Sequence, residues 1–204
     1  MLDRAANAAL MPLLQVAARG LVRLGVGADA ISVAGLAIGL AGAAAIAWQH
    51  YLAGLALLLA SRLADGLDGP VARLTQPTDR GAFLDITLDF VFYASVPLAF
   101  AFADPAANAL AAAVLLAAFI GTGSSFLAFA VLAERRGLAS TEYPNKGLYY
   151  LGGLTEATET LACFVAMCLW PRHFALWAWG FAALCAVTLV TRIVGGAAIL
   201  GRRR

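Results

Sequence analysis

The sequence predicts an all-α polytopic membrane protein: six transmembrane helices preceded by an N-terminal amphipathic interfacial helix. Three observations carry that expectation. Of 204 residues, 62% are hydrophobic and 13% charged, and the mean hydropathy is +0.84, far outside the soluble range. Apolar runs near or above the length of about 20 residues that crosses a bilayer recur at 28–48, 51–72, 82–103, 109–133, 148–170 and 174–200. The basic residues gather in alternate connections between those runs, as the positive-inside rule requires. Six spans occupy roughly 120 positions, which excludes a large soluble domain or a tandem of globular modules. One domain over 1–204 is expected, with 1–26 as the interfacial helix and 28–200 as the bundle.

The opening stretch has no cleavable signal pattern. Its Arg4, Arg19 and Arg23 interleave with Leu10, Leu13, Leu14, Val16, Leu21 and Leu24, the pattern of a helix lying along a membrane surface. The first run carries Gly35, Gly39 and Gly42 at i, i+4 and i+7, a stripe suited to close helix contact in lipid. Only Gln49, His50 and Tyr51 separate it from the second run. That run ends in Arg62, Asp65, Asp68 and Arg73, so its polar half must face protein or water. Runs three to six are clearer, although the fifth holds Glu156 and Glu159 and the sixth holds a lone Arg192. Tyr149, Tyr150, Trp170, Trp177 and Trp179 suit interfacial belts.

Arg4, Arg19, Arg23, Arg73, Arg80, Arg135, Arg136, Lys146 and Arg202 to Arg204 fall on one side, and only Arg172 lies in a loop on the other. Both termini are therefore expected in the cytoplasm. A formal net charge of +2 gives no extended basic face for nucleic acid and no acidic repeat for buffering ions. Cys163, Cys168 and Cys185 sit in apolar runs without C-x-x-C spacing and read as small hydrophobes. His50 and His173 fall on the outer side, away from the carboxylates described next.

The chemistry concentrates in Asp65-Gly-Leu-Asp68-Gly69-Pro-Val-Ala72-Arg73, seven further residues, then Gly81-Ala-Phe-Leu-Asp85-Ile-Thr-Leu-Asp89. On helices, Asp65 and Asp68 project from one face, as do Asp85 and Asp89. A cytoplasmic turn between the two helices brings the pairs together. Four carboxylates in a low-dielectric region cannot all stay ionised without a cation or proton. With only oxygen ligands, Mg²⁺, Mn²⁺ or Ca²⁺ is favoured over zinc. Gly69 and Gly81 clear space beside the acids, and Arg73 offers a fork suited to phosphate. The competing reading makes these acids helix caps or partners of Arg62, Arg73 and Arg80. It would leave Asp85 and Asp89 as unpaired charges reaching into the third span, at several kcal/mol.

This pattern, D-x-x-D-G-x-x-A-R followed by G-x-x-x-D-x-x-x-D, resembles the signature of the CDP-alcohol phosphatidyltransferases, with every specified position present and a spacer one residue shorter than is usual. The resemblance implies transfer of a phosphatidyl group from a CDP-linked lipid such as CDP-diacylglycerol to an alcohol, with release of CMP, in phospholipid biosynthesis. It implies two divalent cations, Mg²⁺ or Mn²⁺, held by Asp65, Asp68, Asp85 and Asp89, with Asp89 as general base. It assigns Asp68, Gly69, Ala72, Arg73, Thr78 and Gly81 to the cytidine diphosphate. Members often carry N-x-x-T at the start of the first span. Here the stretch is Asp29-Ala-Ile-Ser32, so Ser32 is expected either to contact the nucleotide or, with Asp29, to cap the helix. The same resemblance places the protein in a bacterial inner membrane with its active site at the cytoplasmic leaflet, and the apolar flank of spans three and four suits the homodimers that members commonly form.

Acceptor choice is expected from polar groups facing the same cavity: Lys146 and Arg192, which suit a phosphorylated alcohol, and Glu156 and Glu159, which suit a polyol or amino alcohol or else form ion pairs with Arg192, Lys146 or Arg62. An ion or proton transporter is the competing class, but it needs polar groups through the whole membrane depth, and here they cluster in one half. A catalytically silent member would be expected to have lost a signature residue.

Overall fold

A chain this apolar has one way to satisfy its backbone polar groups in lipid without closing a barrel, which is to make the hydrogen bonds within each helix. In the computed structural model, which describes residues 2–137 and 153–201, every regular element is helical. In chain order they are α1 (Leu2–Arg23), α2 (Ala28–Ala47), α3 (Tyr51–Leu74), α4 (Asp79–Ala103), α5 (Pro105–Arg135), α6 (Ala157–Leu169) and, after a 3-10 turn over Pro171–His173, α7 (Phe174–Gly201).

Four helical segments among the described residues are long and apolar enough to cross a membrane: α2, α4, α5, and α7 together with its 3-10 turn. Helix α3 has the length, with 24 residues, but carries Arg62, Asp65, Asp68 and Arg73. Helix α6 has 13 residues, about 20 Å of helix against a hydrocarbon core of about 30 Å. The fifth run, expected over 148–170, is therefore corrected: residues 153–156 are not helical, and residues 148–152 lie outside the described residues. Glu156 is the N-cap of α6, and its own backbone N–H donates to the Glu159 carboxylate at 3.1 Å. These acids start the helix, Glu156 just before it and Glu159 in its first turn. Helix α5 begins earlier than expected because Asp104 accepts from the Ala107 N–H at 3.1 Å and Pro105 occupies the first turn, where no backbone donor is needed.

Short connections make successive helices antiparallel. The start of α2, the end of α3 and the start of α4 consequently share one end of the bundle, tied by Arg80 to Asp29 at 3.3 Å and by Ser32 to Asp68 at 2.6 Å. The glycine stripe makes this close approach possible. A Cβ on Gly39 would lie 2.6 Å from the Phe92 ring and 2.8 Å from the Ser61 hydroxyl, and one on Gly42 would lie 3.0 Å from the Gly54 carbonyl. The Ser61 hydroxyl uses this proximity to donate to the Gly35 carbonyl at 2.7 Å.

The aromatic core fills the bundle away from the charged end. Phe92, Phe100, Phe164 and Phe174 are wholly buried, and Phe100 stacks on Phe174 with ring centroids 4.5 Å apart. A smaller cluster of Ala18, Ile31 and Val71 seats α1 on α2 and α3, with Leu14 over Gly66. Helix α1 therefore braces α3 at Gly66, between the two aspartates Asp65 and Asp68.

Candidate active site

Helix α3 brings Asp65 and Asp68 to the shared end of the bundle on its last turns, and α4 brings Asp85 and Asp89 on its first turns. Spacings of three and four residues put each pair on one helical face, and the turn over residues 75–78 points those faces at each other. One carboxylate oxygen from each of Asp65, Asp68 and Asp85 lies within 4.8 Å of the others. Asp68 is buried and Asp85 exposed, so the group opens outward from a buried floor.

The donor set fits a hard divalent cation. Opposed oxygens on an ion with bonds of about 2.1 Å stand about 4.2 Å apart, which these three reach with small side-chain adjustments. They are all oxygen ligands, as Mg²⁺ and Mn²⁺ prefer.

Asp89 stands apart from the three. The Arg62 guanidinium donates to it at 2.5 Å and reaches Asp65 at 3.4 Å through the same nitrogen. The objection that the competing ion-pair reading would leave Asp89 unpaired is thus corrected: Arg62, one turn before Asp65 on α3, pairs with it. Arg62 lies over the Phe92 ring, 3.7 Å from its centroid, with Tyr93 at 5.6 Å. Its i, i+3 spacing to Asp65 is legible in the sequence, whereas the bond to Asp89 depends on how α3 meets α4.

The remaining signature positions surround this group. Ser32 does not cap α2: the N-cap is Gly27, without a side-chain cap hydrogen bond. Instead Ser32 donates to Asp68. Asp29 pairs with Arg80. Thr78 is the N-cap of α4 and accepts from the Gly81 N–H at 3.0 Å. A Cβ on Gly81 would lie 3.2 Å from the Thr78 hydroxyl and 3.3 Å from Asp29, so the missing side chain lets the starts of α2 and α4 meet. Arg73 is exposed and folds back along its own helix, where a Cβ on Gly69 would stand 3.4 Å from its guanidinium. Ala72 lies on the intervening turn, half-buried.

A profile of the CDP-alcohol phosphatidyltransferase family matches residues 26–194. The chain belongs to that family. It is similar to the Escherichia coli (strain K12) inner membrane protein YnjF, with 50% identity over 196 residues that make up 96% of this chain and 95% of the relative. Among solved structures it shares the fold of Mycobacterium tuberculosis phosphatidylinositol phosphate synthase PgsA1. The form with CDP-DAG bound aligns at a TM-score of 0.74 and 23% identity, covering 91% of this chain and 94% of that one. The complex with manganese and citrate aligns at 0.71 and 24% identity, covering 90% and 88%.

In this family member Glu156, Glu159 and Arg192, three of the residues expected to choose the acceptor, are carried by the start of α6 and by α7 and not by α3 and α4. Arg192 is buried and donates to the Thr122 carbonyl at 3.1 Å. Glu156, also buried, accepts from the Gly153 N–H at 3.4 Å, while Glu159 is spent on capping α6. Lys146 lies outside the described residues. Sequence reasoning missed Thr188, wholly buried on α7, whose hydroxyl oxygen accepts from Leu154 N–H at 3.1 Å, Thr155 N–H at 3.2 Å and the Thr155 hydroxyl at 3.0 Å.

Proposed function

We propose that this protein transfers a phosphatidyl group from a CDP-linked lipid, such as CDP-diacylglycerol, to an alcohol acceptor and releases CMP. The observation that carries the reading is the convergence of Asp65, Asp68 and Asp85 within 4.8 Å, with Asp89 one turn beyond Asp85 on the same face of α4. It is supported by membership of the family and by the CDP-DAG and manganese complexes of a protein with the same fold.

In this account Asp65, Asp68, Asp85 and Asp89 hold two divalent cations, Mg²⁺ or Mn²⁺, which neutralise charge building on the diphosphate. Asp68, Gly69, Ala72, Arg73, Thr78 and Gly81 receive the cytidine diphosphate, with Arg73 offering its fork to phosphate. Asp89 takes the proton from the acceptor hydroxyl. The acceptor oxygen then bonds to the lipid-side phosphorus, the bond from that phosphorus to the CMP oxygen breaks, and CMP leaves with the electron pair. Ser32 orients Asp68 and contacts the donor only through it.

The membrane arrangement follows the same reading. The chain works as one domain, with α2 to α7 as six spans. Helix α3 is shielded by its neighbours, and α6 belongs to the fifth crossing. Helix α1 lies at the cytoplasmic surface, with Leu13 and Val16 turned out, 71% and 67% exposed, where acyl chains can cover them. Both termini and the aspartates face the cytoplasm, in an inner membrane like that named for the relative. Arg192 and Glu156 line the acceptor side, and a second copy covers the apolar flank of α4 and α5.

The test is CMP release from CDP-diacylglycerol by the purified protein with Mn²⁺ or Mg²⁺, against glycerol phosphate, inositol phosphate, inositol, serine, glycerol and phosphatidylglycerol. Release requiring both metal and one acceptor supports the reading and names the product. A protein that neither binds nor consumes any CDP-linked lipid contradicts it.

A further inference from the structure

Arg62 is the one cation buried inside the acidic centre among the described residues. Its side chain is 12% exposed, against 32% for Asp65 and 36% for Asp89. It binds both carboxylates through the same nitrogen, while its buried Nε has no hydrogen-bond partner. Its position is therefore set by two acids on one side and the faces of Phe92 and Tyr93 on the other, not by a saturated network. Rings of this kind hold a guanidinium without consuming its donors, so Arg62 keeps a seat if it releases a carboxylate.

Charge counting shows why such a residue is useful. Four carboxylates alone carry four negative charges, and Arg62 removes one. Two divalent cations neutralise all four, which makes the guanidinium surplus and repelled once both are present. Asp65, Asp68 and Asp85 already converge, whereas Asp89 is held by Arg62.

We propose that Arg62 is a resident counter-cation that makes the centre fill in two unequal steps: a first divalent cation enters at Asp65, Asp68 and Asp85, and a second is admitted only when Arg62 gives up Asp89. The same release frees Asp89 to accept a proton. Arg62 is thus a positioning residue acting through Asp89. The proposal rests on the metal-dependent reading above and deepens it.

The experiment is Mn²⁺ binding to the purified full-length protein and to Arg62→Met and Arg62→Lys, followed by calorimetry and by the electron paramagnetic resonance signal of paired manganese ions. Wild type is expected to show two affinities about tenfold or more apart, the range over which groups behind metal ligands alter binding. Arg62→Met should tighten the weaker site by about that factor and close the gap, with Arg62→Lys in between. Two equal sites in wild type, or variants whose two affinities match wild type, overturn the proposal while leaving the metal-dependent reading intact. If Arg62→Met fails to fold, the spacing of the wild-type steps and the Arg62→Lys shift decide the matter. Wild type that binds no manganese overturns both.

Discussion

Ser32 donates its hydroxyl to the carboxylate of Asp68 at 2.6 Å, across the contact between α2 and α3. Asp68 is the most buried of the four aspartates, and a buried carboxylate needs a donor. The bond therefore fixes which way the floor of the acidic group points. Ser32→Ala should leave the protein folded and raise the Mn²⁺ concentration needed for half-maximal CMP release by about tenfold, as loss of a partner behind a metal ligand does. An unchanged manganese dependence would remove Ser32 from the centre.

The two pairs of aspartates were legible because helical spacing puts residues three and four apart on one face whatever surrounds them. The helices at 28–48, 51–72, 82–103 and 174–200 were legible for a related reason: apolar runs end at Gln49-His50, Asp104-Pro105 and Pro171, where turn chemistry is written in the sequence. The start of α6 was not. Glu156 and Glu159 look like acids within a membrane when only hydropathy is counted, yet the pair caps a helix. Arg62 was half legible, since its bond to Asp89 crosses 27 positions of sequence. Thr188 gave no signal at all, because a hydroxyl in an apolar helix ordinarily bonds its own preceding turn.

Divalent metal should stabilise the fold as well as support turnover. At one hundred times its dissociation constant, a ligand that binds only the folded state adds about 2.7 kcal/mol. Thermal unfolding in detergent should shift upward with Mn²⁺ for the wild type and return with EDTA. Asp85→Asn, which removes one of the three converging carboxylates, should shift much less. Equal shifts in both proteins would place the metal elsewhere.

Gly39 sits where α2 touches both α3 and α4. Gly39→Ala would drive a methyl into the Phe92 ring and the Ser61 hydroxyl, costing about 2 kcal/mol, as overpacking of a tight contact does. Because Phe92 also carries the Arg62 guanidinium, turnover should fall with stability. Gly180→Ala, with nothing within 4 Å of the added Cβ, should change neither. Equal behaviour of the two variants would show that the α2 contact is not tight.

Thr188→Val removes the acceptor for two backbone donors and the Thr155 hydroxyl just before α6. Unsatisfied buried donors cost about 1–3 kcal/mol each, less where water can enter. A loss of about 2 kcal/mol is expected in thermal unfolding, with Thr188→Ser recovering most of it. If valine is tolerated as well as serine, the hydroxyl does not anchor this segment.

The most direct test of phosphatidyl transfer follows the lipid-side phosphate itself. CDP-diacylglycerol labelled at that phosphorus, incubated with the protein, metal and the accepted alcohol, should deliver its label to the new phospholipid and leave CMP unlabelled, with Asp89→Asn folded but inactive. Label recovered only as phosphatidate, with or without an acceptor, would mean that water and not an alcohol is the substrate, and would contradict the account.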